Sequence, residues 1–172
     1  MSALLRQRVA AVESAVTAWW ERLATAYPAL AELTVPTVEW LHRGSTAGRA
    51  DARRWTVAFN RPLLARDDGY RVILPDTVVH ELAHLAAHRL HGSRGHDAAW
   101  RRIMERMGVP PQRTHNLDTT GLPGVQRRWR YRCGCGEIHL TTTRHHRILK
   151  GATYLCRRCG DALVRATVIS RC

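Results

Sequence analysis

No cysteine occurs in the first 132 residues of this chain, and no apolar run approaches the roughly 20 residues that span a bilayer. Lysine is nearly missing: of 27 basic residues only Lys150 is Lys, and the rest are Arg. Acidic residues number 14, leaving a formal charge of +13. There is no internal repeat and no low-complexity tract. These absences exclude a membrane-spanning helix, a disulfide scaffold and a repeat architecture. Glu13 and Glu21 interrupt the N-terminal stretch and no small-residue cleavage site follows it, so the expectation is a cytoplasmic protein without a membrane partner. With 172 residues, 45% of them apolar and 24% charged, the chain has enough material for one hydrophobic core and a small appendage.

Periodicity places the main elements. Leu4, Leu5, Val9, Val12, Val16, Trp19, Trp20 and Leu23 recur at helical spacing, predicting an amphipathic helix over 3–26 with Pro28 just beyond its end. Residues 33–41 read as a strand that Pro36 pushes to a sheet edge. Gly44 to Gly48 read as a turn, and Trp55 to Phe59 as a second strand. Asn60-Arg-Pro starts a loop, and Asp67-Asp-Gly-Tyr70 reads as a turn. A helix is expected over 77–91, with Asp76 as N-cap and Gly92 as stop, and another from about Asp97 to Met107. Residues 112–126 are loop-like, and a small module of short strands follows: Trp129–Cys133, Ile138–Thr142, Thr153–Cys156 and Ala162–Val168.

The helix over 77–91 carries His80-Glu81-Leu82-Ala83-His84. Residues four apart stand on one helical face with Cβ atoms about 5–6 Å apart, so two imidazoles can converge on one zinc ion. Glu81, one position on from the first ligand, cannot easily ligate the same metal but can reach a water bound to it. That is the pattern for zinc-activated hydrolysis of a peptide bond, with Glu81 as general base. A third ligand is needed. His88 lies about 12 Å along the axis from His80 at about 1.5 Å per residue, and His91 farther still. His96 follows Gly92 and Gly95, where the chain can reverse, so His96 is the expected third ligand and His88 and His91 are expected at the surface.

These residues, followed by Gly95-His96 and Trp100, resemble the SprT family of zinc metallopeptidases, whose eukaryotic relative is the DNA-dependent protease Spartan. Ala58-Phe59-Asn60-Arg-Pro-Leu-Leu64 upstream, and Arg113-Thr114-His115 with the cysteine segments downstream, look like the same family; the likeness spans most of 35–165. The resemblance implies an α+β fold, with a minimal zincin-like peptidase domain of helices packed on a small sheet. It implies His80, His84 and His96 as ligands and Glu81 as catalytic residue. It also implies action on DNA-associated or DNA-crosslinked proteins, a property best attached to the eukaryotic branch. The chain has no long tail of partner-binding modules, so regulation is not carried over.

All five cysteines lie in the last 40 residues. Cys133-Gly-Cys135 and Cys156-Arg-Arg-Cys159 form two thiol pairs among short strands, the pattern of a zinc ribbon with a closed, structural zinc; Cys172 is left over and free. Charge concentrates in the same region: 113–172 is net +9, against +2 in 1–76 and +2 in 77–112. Arg127, Arg128, Arg130, Arg132, Arg144, Arg147 and Lys150 are the expected nucleic-acid contacts. Interleaved with Trp129, Tyr131 and Tyr154, they suit single-stranded or distorted DNA; alternatively, the aromatics pack beneath the ribbon and the arginines are solvated. The expected organisation is a peptidase domain over 1–112 and a zinc-ribbon module over 113–172. The competing reading is a nucleic-acid-binding zinc protein with a weak or latent peptidase site. Neither His115 nor Arg113 is placed by any spacing argument as the group that stabilises the tetrahedral oxyanion.

Two separate ligand sets predict two zinc ions per chain, the all-thiolate one being harder to strip with a chelator. Metal analysis of freshly purified protein returning one zinc or none contradicts this.

Overall fold

The computed structural model describes residues 1–125 and 127–166. It is an α+β protein made of two compact units, Met1–Gly124 and Val125–Cys172. The expected boundary at 112 therefore falls within the first unit. The loop after it is tied back there: Gly44 N–H donates to the Pro123 carbonyl (2.7 Å), and Arg66 donates to the Asp118 carbonyl (2.6 Å).

In the first unit, helix α1 (Ala3–Ala26) is capped by Ser2 and buries Val12, Val16, Trp20 and Leu23 of the stripe its periodicity predicts; Leu5, Val9 and Trp19 are half-buried and Leu4 is exposed. Strands β1 (Thr37–Leu41), β2 (Gly48–Asp51) and β3 (Thr56–Asn60) form a sheet in the order β1-β3-β2. β1 runs parallel to β3 and β2 antiparallel to it. β3 is buried along its whole length, as a central strand must be. Pro36 immediately precedes edge strand β1, where its missing N–H costs no ladder bond. β2 begins at Gly48, where the expected turn ends, and was not foreseen; Gly-Arg-Ala-Asp has no apolar alternation, and only pairing with β3 makes it a strand.

Helices α2 (Arg61–Leu64) and α3 (Asp67–Val72) replace an expected loop and turn. Asn60 caps α2 by accepting the Leu63 N–H (3.1 Å), with Pro62 in the first turn, where it sacrifices no bond. A π-helical turn over Ile73–Thr77 leads directly into α4 (Val78–His91). Asp76 is thus inside helical chain rather than at an N-cap. α4 is the centre of the unit, packing on α1, β2 and α5 (Ala98–Arg106). No helix among the described residues is long and apolar enough to cross a membrane.

The second unit is a three-stranded sheet in the order β5-β4-β6, with β4 at Arg128–Cys133, β5 at Gly136–Thr141 and β6 at Val164–Arg165. The strand expected at 153–156 reduces to one bridge, Leu155 to Ala162. Residues 142–149 form helix α6, capped by Thr141 and unforeseen because Arg and His dominate its sequence. Cys172 and the end of the strand expected to Val168 lie outside the described residues.

One buried polar anchor ties α1 to the short helices. The Arg8 guanidinium, 7% exposed as a residue, donates to the carbonyls of Leu64 (3.1 Å) and Ala65 (3.0 Å), pairs with Asp67 and lies over the Tyr70 ring (4.9 Å). Arg8→Ala leaves the buried Leu64 carbonyl without its donor and is expected to destabilise by about 2 kcal/mol. Asp67→Ala should cost less, because that carboxylate is 76% exposed and screened. Thermal melts showing Asp67→Ala to be the more damaging change would refute this ranking.

Candidate metal centre and catalytic cleft

Helix α4 buries Val78, Val79, Leu82, Ala83, Leu85, Ala86 and Ala87, apolar on nearly every side. The row left over is His80, His84 and His88, at successive i+4 positions facing a cleft of about 950 Å³. Gly92 ends the helix at φ +65°, a left-handed conformation that a side chain would strain, and its N–H returns to the His88 carbonyl (2.9 Å). The chain reverses over Ser93–Gly95. Asp97 then caps α5, accepting the N–H groups of Ala99 and Trp100 at 3.1 Å each. That cap fixes the neighbouring His96 against α4.

The three Nε2 atoms converge: His80 to His84 3.2 Å, His84 to His96 3.2 Å, and His80 to His96 2.9 Å. Three ring nitrogens cannot satisfy one another in a triangle of hydrogen bonds, since each offers one proton or one lone pair. Ligands about 2.0–2.1 Å from a common ion, in tetrahedral array, stand about 3.3 Å apart, so the set fits zinc. Burial, then the neighbouring imidazoles, lower the pKa of His80 to about 4 and of His84 to about 3; burial followed by the Arg113 charge lowers that of His96. All three are therefore neutral at pH 7, as metal ligation requires. Trp100, 1% exposed, forms the floor: its ring stacks on His84 (5.5 Å, 24°) and its Nε1–H donates to the His80 carbonyl (3.3 Å).

Glu81 is 6% exposed and lies under β2. Burial pushes it up to about 8, against the pull of the Ala50 backbone N–H and the Arg49 charge. A carboxyl tuned toward neutrality suits taking up and returning a proton near pH 7. Sequence reasoning missed what makes room for it. A Cβ on Gly48 would meet Glu81 Oε1 at 2.7 Å, Glu81 Cγ at 2.8 Å and Thr77 Cγ2 at 2.6 Å. Sequence reasoning named Asn60 only as part of a family-like segment and missed its role: the residue is fully buried, and its Nδ2 donates to the carbonyls of Gly44 (3.0 Å) and Thr46 (2.9 Å) and so holds the segment leading into β2. His88 departs from the surface placement expected for it. It is half-buried, lines the cleft, and its buried Nδ1 has no partner among the described residues. His91 is exposed.

In the second unit Cys133, Cys135, Cys156 and Cys159 come together, all four Sγ atoms lying within 4.8 Å of one another. Cys133 to Cys135 is 3.4 Å and Cys135 to Cys156 is 3.6 Å, close to the roughly 3.8 Å between tetrahedral thiolates about 2.3 Å from zinc. The backbone N–H groups of Cys159 and Arg158 lower the Cys156 thiol to about 6, while the neighbouring thiols push Cys135 up to about 12, so the first thiolate forms at Cys156.

The basic residues of this unit do not form a single cluster. Strand alternation puts Arg128, Arg130 and Arg132 on the exposed face of β4 and buries Tyr131 on the other. There His145 of α6 stacks on Trp129 (3.6 Å, 7°) and accepts or donates with the Tyr131 hydroxyl (2.9 Å). Arg144, Arg147 and Lys150 are exposed on or just after α6, which packs on that second side. Arg127 lies over Trp129 at 4.1 Å. Trp129 and Tyr131 are therefore packed within the unit, whereas Tyr154 is half-buried with Arg144 over its ring at 6.0 Å.

Gly48→Ala is expected to cost about 1–3 kcal/mol of stability through overpacking. The cost should shrink in a Glu81→Ala background, where room is restored. Equal losses in both backgrounds, measured by chemical denaturation as a double-mutant cycle, would show that Gly48 does not make room for Glu81.

The model of the SprT-like family matches residues 17–128. Among similar proteins, Protein SprT of Pectobacterium carotovorum subsp. carotovorum (strain PC1) is 38% identical over 135 residues, covering 77% of each chain. Protein SprT of Shewanella oneidensis is 37% identical over 134 residues, covering 76% of this chain and 83% of that one. Protein SprT of Photorhabdus laumondii subsp. laumondii is 34% identical over 138 residues, covering 78% and 69%. No solved structure gives a significant match. With its three histidines convergent on one point and these relatives matched over most of its length, the chain belongs to the SprT-like family.

Proposed function

We propose that this protein is a zinc metalloendopeptidase. The observation that carries the reading is the convergence of His80, His84 and His96 Nε2 beside a buried Glu81 that packs under β2, an edge strand of its sheet. His80, His84 and His96 hold the catalytic zinc, and the four cysteines hold a second, structural one. When bound, the catalytic zinc supplies a Lewis acid that polarises a carbonyl and lowers the pKa of water. Glu81 accepts the proton of the attacking water and returns it to the leaving amine. Among the described residues no strand covers the outer edge of β2, so an extended peptide can add there as a further strand.

Within this reading the protein is cytoplasmic and acts on DNA-associated or DNA-crosslinked proteins. Support for the nucleic acid is the exposed arginine row of β4 together with Arg127, Arg144, Arg147 and Lys150. With Tyr131 buried and Trp129 stacked, the contact is with phosphates rather than bases. If the peptidase centre is weak, the same surface leaves a zinc protein that binds nucleic acid.

The test compares wild type and Glu81→Gln, both zinc-loaded, on a basic protein with and without single-stranded DNA. Wild type is expected to cleave, and Glu81→Gln to lose at least about 100-fold at unchanged zinc content. DNA affinity should fall with salt by a log–log slope of about −0.7 per phosphate contact, flattened by replacing Arg127, Arg128 and Arg130 together. Full activity in Glu81→Gln would overturn the mechanism, and salt-independent DNA binding would overturn the phosphate contact.

A further inference from the structure

Residues 112–119 form no regular element, yet two anchors hold them at the cleft. Pro110 and Pro111 stiffen the approach from α5, and Gln112 N–H turns back to the Pro110 carbonyl (2.8 Å). The Gln112 backbone hydrogen-bonds the His80 ring, whose Nε2 is already turned to the triad. The second anchor is His115. Its Nδ1 accepts the Leu117 N–H (3.2 Å), which leaves Nε2–H to donate to the Ser45 carbonyl (3.2 Å). Ser45 is itself fixed, because Asn60 grips the carbonyls on either side of it. Arg113 stands between these anchors, one residue from the first and two from the second. It is exposed in the cleft, and among the described residues it has no ion pair and no side-chain hydrogen bond.

We propose that Arg113 is the catalytic residue that stabilises the negative charge developing on the scissile carbonyl oxygen, with His115 as the positioning residue that holds it there. This rests on the peptidase reading above. In the addition step the water oxygen bonds to the carbonyl carbon, its proton passes to Glu81, and the carbonyl π pair moves onto oxygen. Collapse re-forms the C=O bond and breaks C–N, and the nitrogen leaves with the proton from Glu81. The charge between these steps needs a donor already in place. His115 cannot supply it, since both ring nitrogens are engaged. His88 lies about 12 Å from His80 along α4. Arg49, Arg53 and Arg94 also line the cleft, but Arg113 is the one on the segment held from both sides, by residue 112 and by His115. A guanidinium keeps its charge at every working pH and offers several donors in one plane.

The experiment uses the full-length, zinc-loaded protein and a peptide that wild type cleaves. Two ligands are built on that peptide: a phosphinic analogue, tetrahedral and anionic at the scissile position, and an uncleavable N-methyl amide. Arg113→Ala is expected to lower kcat about 10²- to 10³-fold with little change in KM. It should weaken the phosphinic analogue by a comparable factor and leave amide binding and zinc content unchanged. His115→Ala should lower kcat in the same direction, and His115→Gln, which can both donate and accept, should restore it. Arg113→Ala within a few-fold of wild-type kcat, or equal loss of both ligands, would overturn the assignment. If wild type cleaves nothing, or Glu81→Gln cleaves as well as wild type, the peptidase reading fails and this proposal with it. If those controls hold and Arg113→Ala stays active, only the Arg113 assignment fails.

Discussion

Helix α4 is buried on all sides but one, and the site depends on what covers its Glu81. A single carboxylate between the helix and β2 requires that the strand approach without a side chain, and Gly48 provides that approach. The strand stays there because the segment before it is gripped by a fully buried asparagine. Were β2 to lift, Glu81 would meet water, its pKa would fall toward that of an ordinary carboxylate, and the cleft would lose its wall. Packing, acid–base chemistry and the free strand edge are thus one constraint seen from three sides.

The same low-dielectric setting acts in opposite senses on the two kinds of group. Burial disfavours charge, so it raises Glu81 and lowers His80 and His84. Neutral imidazoles are the form a metal needs, and a carboxyl near neutrality is the form a proton carrier needs. The positive charges lining the cleft, Arg49, Arg53, Arg94 and Arg113, are exposed and keep their hydration. The cleft therefore combines a dry interior with a wet, cationic edge.

In the second unit the structural demand and the charge are separated by strand alternation. Tyr131, Trp129 and His145 fill the small interior of the module, while alternate arginines of β4 project outward. A short module with so little apolar surface is held chiefly by its four converging thiols. Three of its arginines lie over aromatic rings, Arg127 and Arg165 over Trp129 and Arg144 over Tyr154.

Much of the centre was legible in the sequence because it is local. The spacing of His80 and His84 sets one helical face, the glycines at 92 and 95 let the chain return to His96, and paired thiols announce a metal ribbon. Helix α1 was equally legible from its apolar stripe. What the sequence could not show depends on distant partners. β2 is a strand only because β3 lies beside it, Asn60 clamps a segment 14–16 residues away, and Asp76 sits in helical chain because α3 runs on through a π turn. The fate of Trp129 and Tyr131 was open until α6 supplied His145. Arg113 has no periodicity to mark it; it is set between two anchors by Pro110-Pro111 and His115. Local spacing determined which groups can hold a metal, and tertiary contacts decided what surrounds them, because burial and approach are properties of neighbours that the chain brings together only on folding.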